Sequence, residues 1–86
     1  MLKNIRNWKM YYAKPGYPDI RAMQDFVECE TDETIKAMMA ELNGIKNMNF
    51  DNHVLQTLLG QNRIAKHKSY PEWAGLMLIA IAEYRK

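Results

Sequence analysis

Few side chains in this 86-residue chain are suited to chemistry: one cysteine, Cys29, two histidines, His53 and His67, and a run of acids, Glu28, Glu30, Asp32 and Glu33. A nucleophilic thiol works as the thiolate, and a positive setting has to lower its pKa. Cys29 sits between Glu28 and Glu30, two negative neighbours and not the positive setting a nucleophile needs. The histidines stand fourteen residues apart with Gly60 between them, which fits no zinc template. Paired carboxylates do acid–base work when they face each other across a cleft. These four straddle the junction of two predicted helices, where acids commonly serve helix termini. The sequence holds no glycine-rich phosphate loop, no HExxH and no CxxC. The expectation is a non-catalytic protein with no metal and no cofactor.

Size agrees with that expectation. Eighty-six residues make one domain, residues 1–86, and leave little material to wall off a deep substrate cavity. At 48% apolar and 26% charged residues the composition is that of a folded chain, not a disordered one. A lone cysteine rules out an intrachain disulfide and suits a reducing compartment. The start, MLKNIRNWKMYYAK, has charges every third or fourth residue and no apolar stretch of the secretion-signal type. The longest apolar run, Trp73 to Ala82, is ten residues with Gly75 counted; a membrane span needs about twenty. A cytoplasmic protein without a membrane partner is expected.

Charge is unevenly spread. Residues 1–16 carry Lys3, Arg6, Lys9 and Lys14 and no acid, a net of +4. Residues 17–60 carry eight acids against Arg21, Lys36 and Lys46, a net of −5; residues 61–86 carry five bases against Glu72 and Glu83, a net of +3. Such segments either neutralise one another within the fold or meet partners of opposite sign.

The elements that must position these residues are marked by clear punctuation. In residues 2–13, Leu2, Ile5, Trp8 and Tyr12 recur at helical spacing, although Met10, Tyr11 and Tyr12 also suit a short strand. Pro15, Gly16 and Pro18 then break the backbone. Asp19 is expected to cap a helix over 19–29 with the stripe Ile20, Met23, Phe26 and Val27. Thr31 caps a third helix over 32–43, which Asn43-Gly44 stops. Asp51 caps a fourth over 51–60, closed by Gly60. Ser69-Tyr70-Pro71-Glu72 is a capping box opening a fifth over 70–85. That last helix is apolar on nearly every face, as expected of a helix enclosed by its neighbours. Gly75 and the alanines at 74, 80 and 82 would admit close neighbours. The fold expected is all-α: a compact bundle of four to five short helices around an apolar C-terminal helix. Whatever the monomer leaves uncovered of that helix would serve a homodimer.

Two binding functions suit such a fold. The first is a small helical protein that docks on a larger protein as an adaptor, inhibitor or assembly factor, the phage and mobile-element accessory proteins being of this class. Its expected anchors are Trp8, Lys9, Tyr11, Tyr12, Lys14 and Tyr17, an aromatic and basic mixture typical of interfaces, together with Met48 from an adaptable methionine set. The alternative is a helix-turn-helix DNA-binding regulator over residues 52–70. There Leu55 and Leu59 hold the first helix, Gly60 makes the turn, and Gln61, Asn62, Arg63, Lys66, His67 and Lys68 face the nucleic acid. Gln56, Gln61 and Lys66 stand where that motif wants small or apolar residues. A second register, 36–55, places Ala40, Gly44, Ile45 and Phe50 better but puts Asn43 at a core position. The stretches LQTLLGQNR and PEWAGLMLIA resemble the small phage-type repressors, and over those stretches alone.

Overall fold

The capping residues decide where the helices begin. The computed structural model describes residues 2–61, Arg63 and 67–85. Among the described residues there are five helices and no strand: α1 (Lys3–Tyr11), α2 (Asp19–Cys29), α3 (Asp32–Lys46), α4 (Asn52–Leu59) and α5 (Tyr70–Tyr84). Thr31 accepts from the Thr34 amide at 3.2 Å and Asp51 from the His53 amide at 2.8 Å. Ser69 accepts from the Glu72 amide at 3.3 Å, with Pro71 in the first turn of α5. Each satisfies a donor that the helix itself leaves orphaned. Within residues 2–13, Lys3–Tyr11 form a helix and no strand. α1 has no side-chain cap of its own. Glu41 of α3 supplies one, accepting from the amides of Asn4 at 3.1 Å and Ile5 at 3.0 Å, and so fastens the start of α1 across α3.

Three local expectations are corrected. Asp19 does not cap α2. Pro18 holds the cap position, and the Asp19 carboxylate is engaged with distant side chains. Asn43-Gly44 does not stop α3, which runs on to Lys46. The stop is a Schellman turn with Met48 in the left-handed region at φ 62. The Met48 amide donates to Ile45 O at 3.0 Å and the Asn49 amide to Gly44 O at 2.9 Å. Gly44 serves packing instead, since a Cβ there would lie 2.7 Å from Cε2 of Phe50. The opposite holds at Gly75, where an added Cβ meets nothing within 4 Å; it admits no close neighbour.

One core joins all five helices. α1 contributes Ile5 and Trp8, α2 Met23 and Phe26, α3 Met38 and Leu42, α4 Leu55 and Leu59, and α5 Trp73 and Met77. Trp8 meets Trp73 with ring centroids 5.8 Å apart, within the range that favours aromatic pairs. α5 lies on α2 and α3, and α1 lies on α3 and α2. The four helices do not enclose α5, however. Leu76 and Leu78 are half-buried, Ala82 is exposed and Ile79 is 56% exposed. Among the described residues no helix is long and apolar enough to cross a membrane.

Candidate binding surfaces

The strongest polar cluster lies where α2 begins, α4 ends and α5 begins. Arg63 grips Asp19 with both arms of its fork, Nε to Oδ2 at 2.7 Å and Nη2 to Oδ1 at 2.9 Å. Its remaining arm donates to the carbonyl of Leu59 at the end of α4. The indole N–H of Trp73 donates to Asp19 Oδ2 at 2.9 Å. The guanidinium carbon lies 5.6 Å from the Trp8 ring centre and 5.9 Å from that of Trp73, within cation–π range. The ion pair is mostly buried, with side-chain exposures of 14% and 16%. A bidentate pair in so dry a setting holds three elements in register. Three of the guanidinium's five N–H donors are engaged within the fold.

That arrangement bears directly on the expected nucleic-acid side chains. Arg63 is pinned to Asp19 and does not project from a recognition helix. Gln61 and Lys68 are exposed and His67 is half-buried; Asn62 and Lys66 lie outside the described residues. The Tyr70 hydroxyl donates to Gly60 O at 2.9 Å, tying the start of α5 to the end of α4.

The structure does not bring the expected protein anchors together. Trp8, expected as an exposed anchor, is fully buried; its place on the Ile5–Trp8 stripe turns it into the core. Tyr12 is half-buried, and its hydroxyl donates to Glu30 at 2.6 Å. That bond, and burial after it, push its pKa above the ordinary tyrosine value. Tyr17 is half-buried and donates to Asp25 at 2.6 Å, which raises its pKa in the same way. Lys9, Lys14 and Tyr17 share a cleft of about 410 Å³ with Asp19 and Arg63. Met48 stands 78% exposed on the α3–α4 turn. Tyr11 lies on the outer face of α1, 66% exposed.

That outer face holds residues the sequence stripe did not single out. With Ile5 and Trp8 turned inward, Lys3, Arg6, Asn7, Met10 and Tyr11 face out. Met10 is 65% exposed. Arg6 and Met10 are one helical turn apart and neighbours on the surface. Arg6 also borders a groove of about 590 Å³ between the start of α1 and α4, with Leu2, Phe50, Val54 and Leu58 among its lining and Asp51 and His53 beside them. The apolar floor of the groove and the basic face of α1 are therefore continuous through Arg6. The signal was in the spacing: Met10 falls two positions after Trp8, on the opposite side of a helix.

For chemistry the surface offers little. Among the described residues no group of three or more His, Cys, Asp or Glu side chains could hold a metal ion. Cys29 is exposed at the end of α2. Fold and surface together define a small all-α module with a pinned aromatic corner and two apolar faces left open. No protein-family model, no curated protein and no solved structure matches this chain.

Proposed function

We propose that this chain is a non-catalytic module that binds a larger protein, and that it does so through the outer face of α1 and the adjoining α1–α4 groove. One observation carries the reading. Met10 and Tyr11, large and apolar, stand well exposed on a helix whose charges, Lys3, Arg6 and Lys9, are all basic. An isolated exposed apolar residue is ordinary, but a pair beside an apolar groove is the pattern of an interaction site. Tyrosine and arginine are also the side chains that most often anchor interfaces. The bases on the outer face of α1 favour an apolar element edged with Asp or Glu. The reading is cytoplasmic, since an exposed lone thiol such as Cys29 persists in a reducing compartment.

The test is affinity capture from native extract with the parent chain, an Arg6→Glu/Met10→Ala/Tyr11→Ala variant and a Lys68→Ala variant, each with and without nuclease. The expected result is a protein retained through nuclease by the parent and by Lys68→Ala, and lost from the triple variant. Recovery of nucleic acid alone, lost from Lys68→Ala, would instead support the DNA-binding alternative and defeat this reading.

A further inference from the structure

We infer that the cleft between the end of α1, the loop after it and the end of α4 binds a phosphomonoester, a small organic body carrying a dianionic phosphate. The site uses none of the side chains replaced in the test of the protein-binding reading, and the inference stands independently of that reading.

Three elements deliver the charges of the cleft. Lys9 belongs to the last turn of α1. Lys14 opens a turn that the Tyr17 amide closes, donating to Lys14 O at 3.0 Å. Arg63 is drawn to the same cleft by its two bonds to Asp19. Asp19 is the one acid among the described lining residues, and its charge is already met. Its Oδ1 accepts from Arg63, and its Oδ2 accepts from both Arg63 and Trp73. Arg63 still holds two of its five N–H groups without a partner among the described residues. Neither Lys9 nor Lys14 forms an ion pair among the described residues. Three positive side chains against one negative leave the cleft with a net charge of +2.

That surplus selects the ligand. A singly charged anion leaves half of it unmatched, whereas a phosphate monoester brings close to two negative charges and three acceptor oxygens at neutral pH. The donors suit the group, since lysine meets phosphate as a point charge and arginine as a planar fork. At about 410 Å³ the cleft is of the size that takes small organic molecules, so the phosphate need not come alone. Pro15, Tyr17 and Pro18 wall the rest of the space, and an apolar or aromatic body can lie against them.

Titration of the full chain with phenyl phosphate at about pH 7.5, where the phosphate is dianionic, tests the site by amide NMR. The expected result is a saturable shift of residues 13–19 and 59–60, with a dissociation constant of about 1 mM. Phenyl sulfate, of the same shape with one charge fewer, should bind about tenfold more weakly. Lys9→Ala and Lys14→Ala should each weaken phenyl phosphate about tenfold, the loss of one charge-assisted bond. Lys36→Ala, exposed on α3 outside the cleft, should bind as the parent does. Lys9→Arg and Lys14→Arg should retain binding, which keeps the test decisive where an alanine variant fails to fold. A short phosphotyrosine peptide carries the same group on a chain. If it binds more tightly than phenyl phosphate the cleft serves a phosphorylated protein, and if more weakly a free small ester; both uphold the phosphomonoester site. A titration that shows no saturation by about 10 mM would overturn the inference. So would phenyl sulfate binding as tightly as phenyl phosphate, or an affinity that both alanine substitutions leave unchanged.

Discussion

The corner around Asp19 and the outer face of α5 are built from similar residues and finished in opposite ways. At the corner, Trp73 and the Asp19–Arg63 pair close on one another through hydrogen bonds and almost no apolar area is wet, the indole N–H of Trp8 being the one buried side-chain polar atom without a partner among the described residues. On α5, Leu76, Ile79 and Ala82 are left open with no polar group to tie them down. The difference shows where the stability of a small domain is concentrated. A side chain of recognition type is free to recognise only where the fold has not already used it. Arg63 and Trp8 have the chemistry of binding residues and serve the interior, while Met10 and Ile79 have the chemistry of core residues and face solvent.

The largest effect should come from breaking the closed corner. Asp19→Ala strands the Arg63 guanidinium and the Trp73 indole N–H together in a mostly buried site. Removing one partner of such a pair should cost about 3 kcal/mol, and in a domain of this size that lowers the melting temperature by roughly 15 °C. Asp19→Asn retains an acceptor oxygen and should lose about half as much. Chemical denaturation checks both. A loss under about 0.5 kcal/mol for Asp19→Ala would mean that the pair is no more than a surface contact.

Next comes alkaline pH, which probes how the rest of the closed side is tied. Tyr12 donates to Glu30, Tyr17 to Asp25 and Tyr84 to Glu28, fastening α1, the following loop and α5 to α2. Each carboxylate partner raises the phenol's pKa above the ordinary value of 10. Below that value folded and unfolded chains both hold the phenolic proton, so the stabilisation is fully present. Above it the unfolded chain releases protons that the folded chain keeps, and stability falls as pH rises toward the folded-state values. The melting temperature should therefore drop faster above about pH 10 for the parent than for Tyr12→Phe. Parallel curves for the two proteins would show that the Tyr12–Glu30 bond does not hold in solution.

These comparisons also show what could be read from the residues in order. Thr31, Asp51 and Ser69 act on amides two or three positions away, so their capping roles were plain from local spacing. Helix type was equally plain in α2 to α4, whose stripes repeat at helical period, while α5 was marked by its capping box. Asp19 looked like another cap, and its true partners, Arg63 and Trp73, lie 44 and 54 residues further on. No local pattern carries a contact of that range. Gly44 looked like a stop for the same reason: its use is the space it leaves for Phe50. Trp8 and Tyr11 read alike as aromatic anchors among lysines and stand only three positions apart, so helical spacing does not separate them; tertiary packing does, burying Trp8 and leaving Tyr11 66% exposed. The α1–α4 groove needed two helices distant in sequence to be brought together before it existed at all.

The smallest effects distinguish two glycines that the sequence treats alike. Met48→Gly provides a neighbouring reference, for it relieves an L side chain held at φ 62 and should stabilise by about 1 kcal/mol. Gly44 and Gly75 both sit inside helices, where alanine normally gains about 0.5–1 kcal/mol by restricting the unfolded chain. At Gly75 the new methyl meets nothing within 4 Å, so Gly75→Ala should show the full gain. At Gly44 the methyl arrives 2.7 Å from the Phe50 ring, which must move off the groove floor, so Gly44→Ala should gain less or lose stability. Equal gains at both positions would mean that Phe50 yields freely, and that the floor of the α1–α4 groove is softer than the closed corner by more than packing alone suggests.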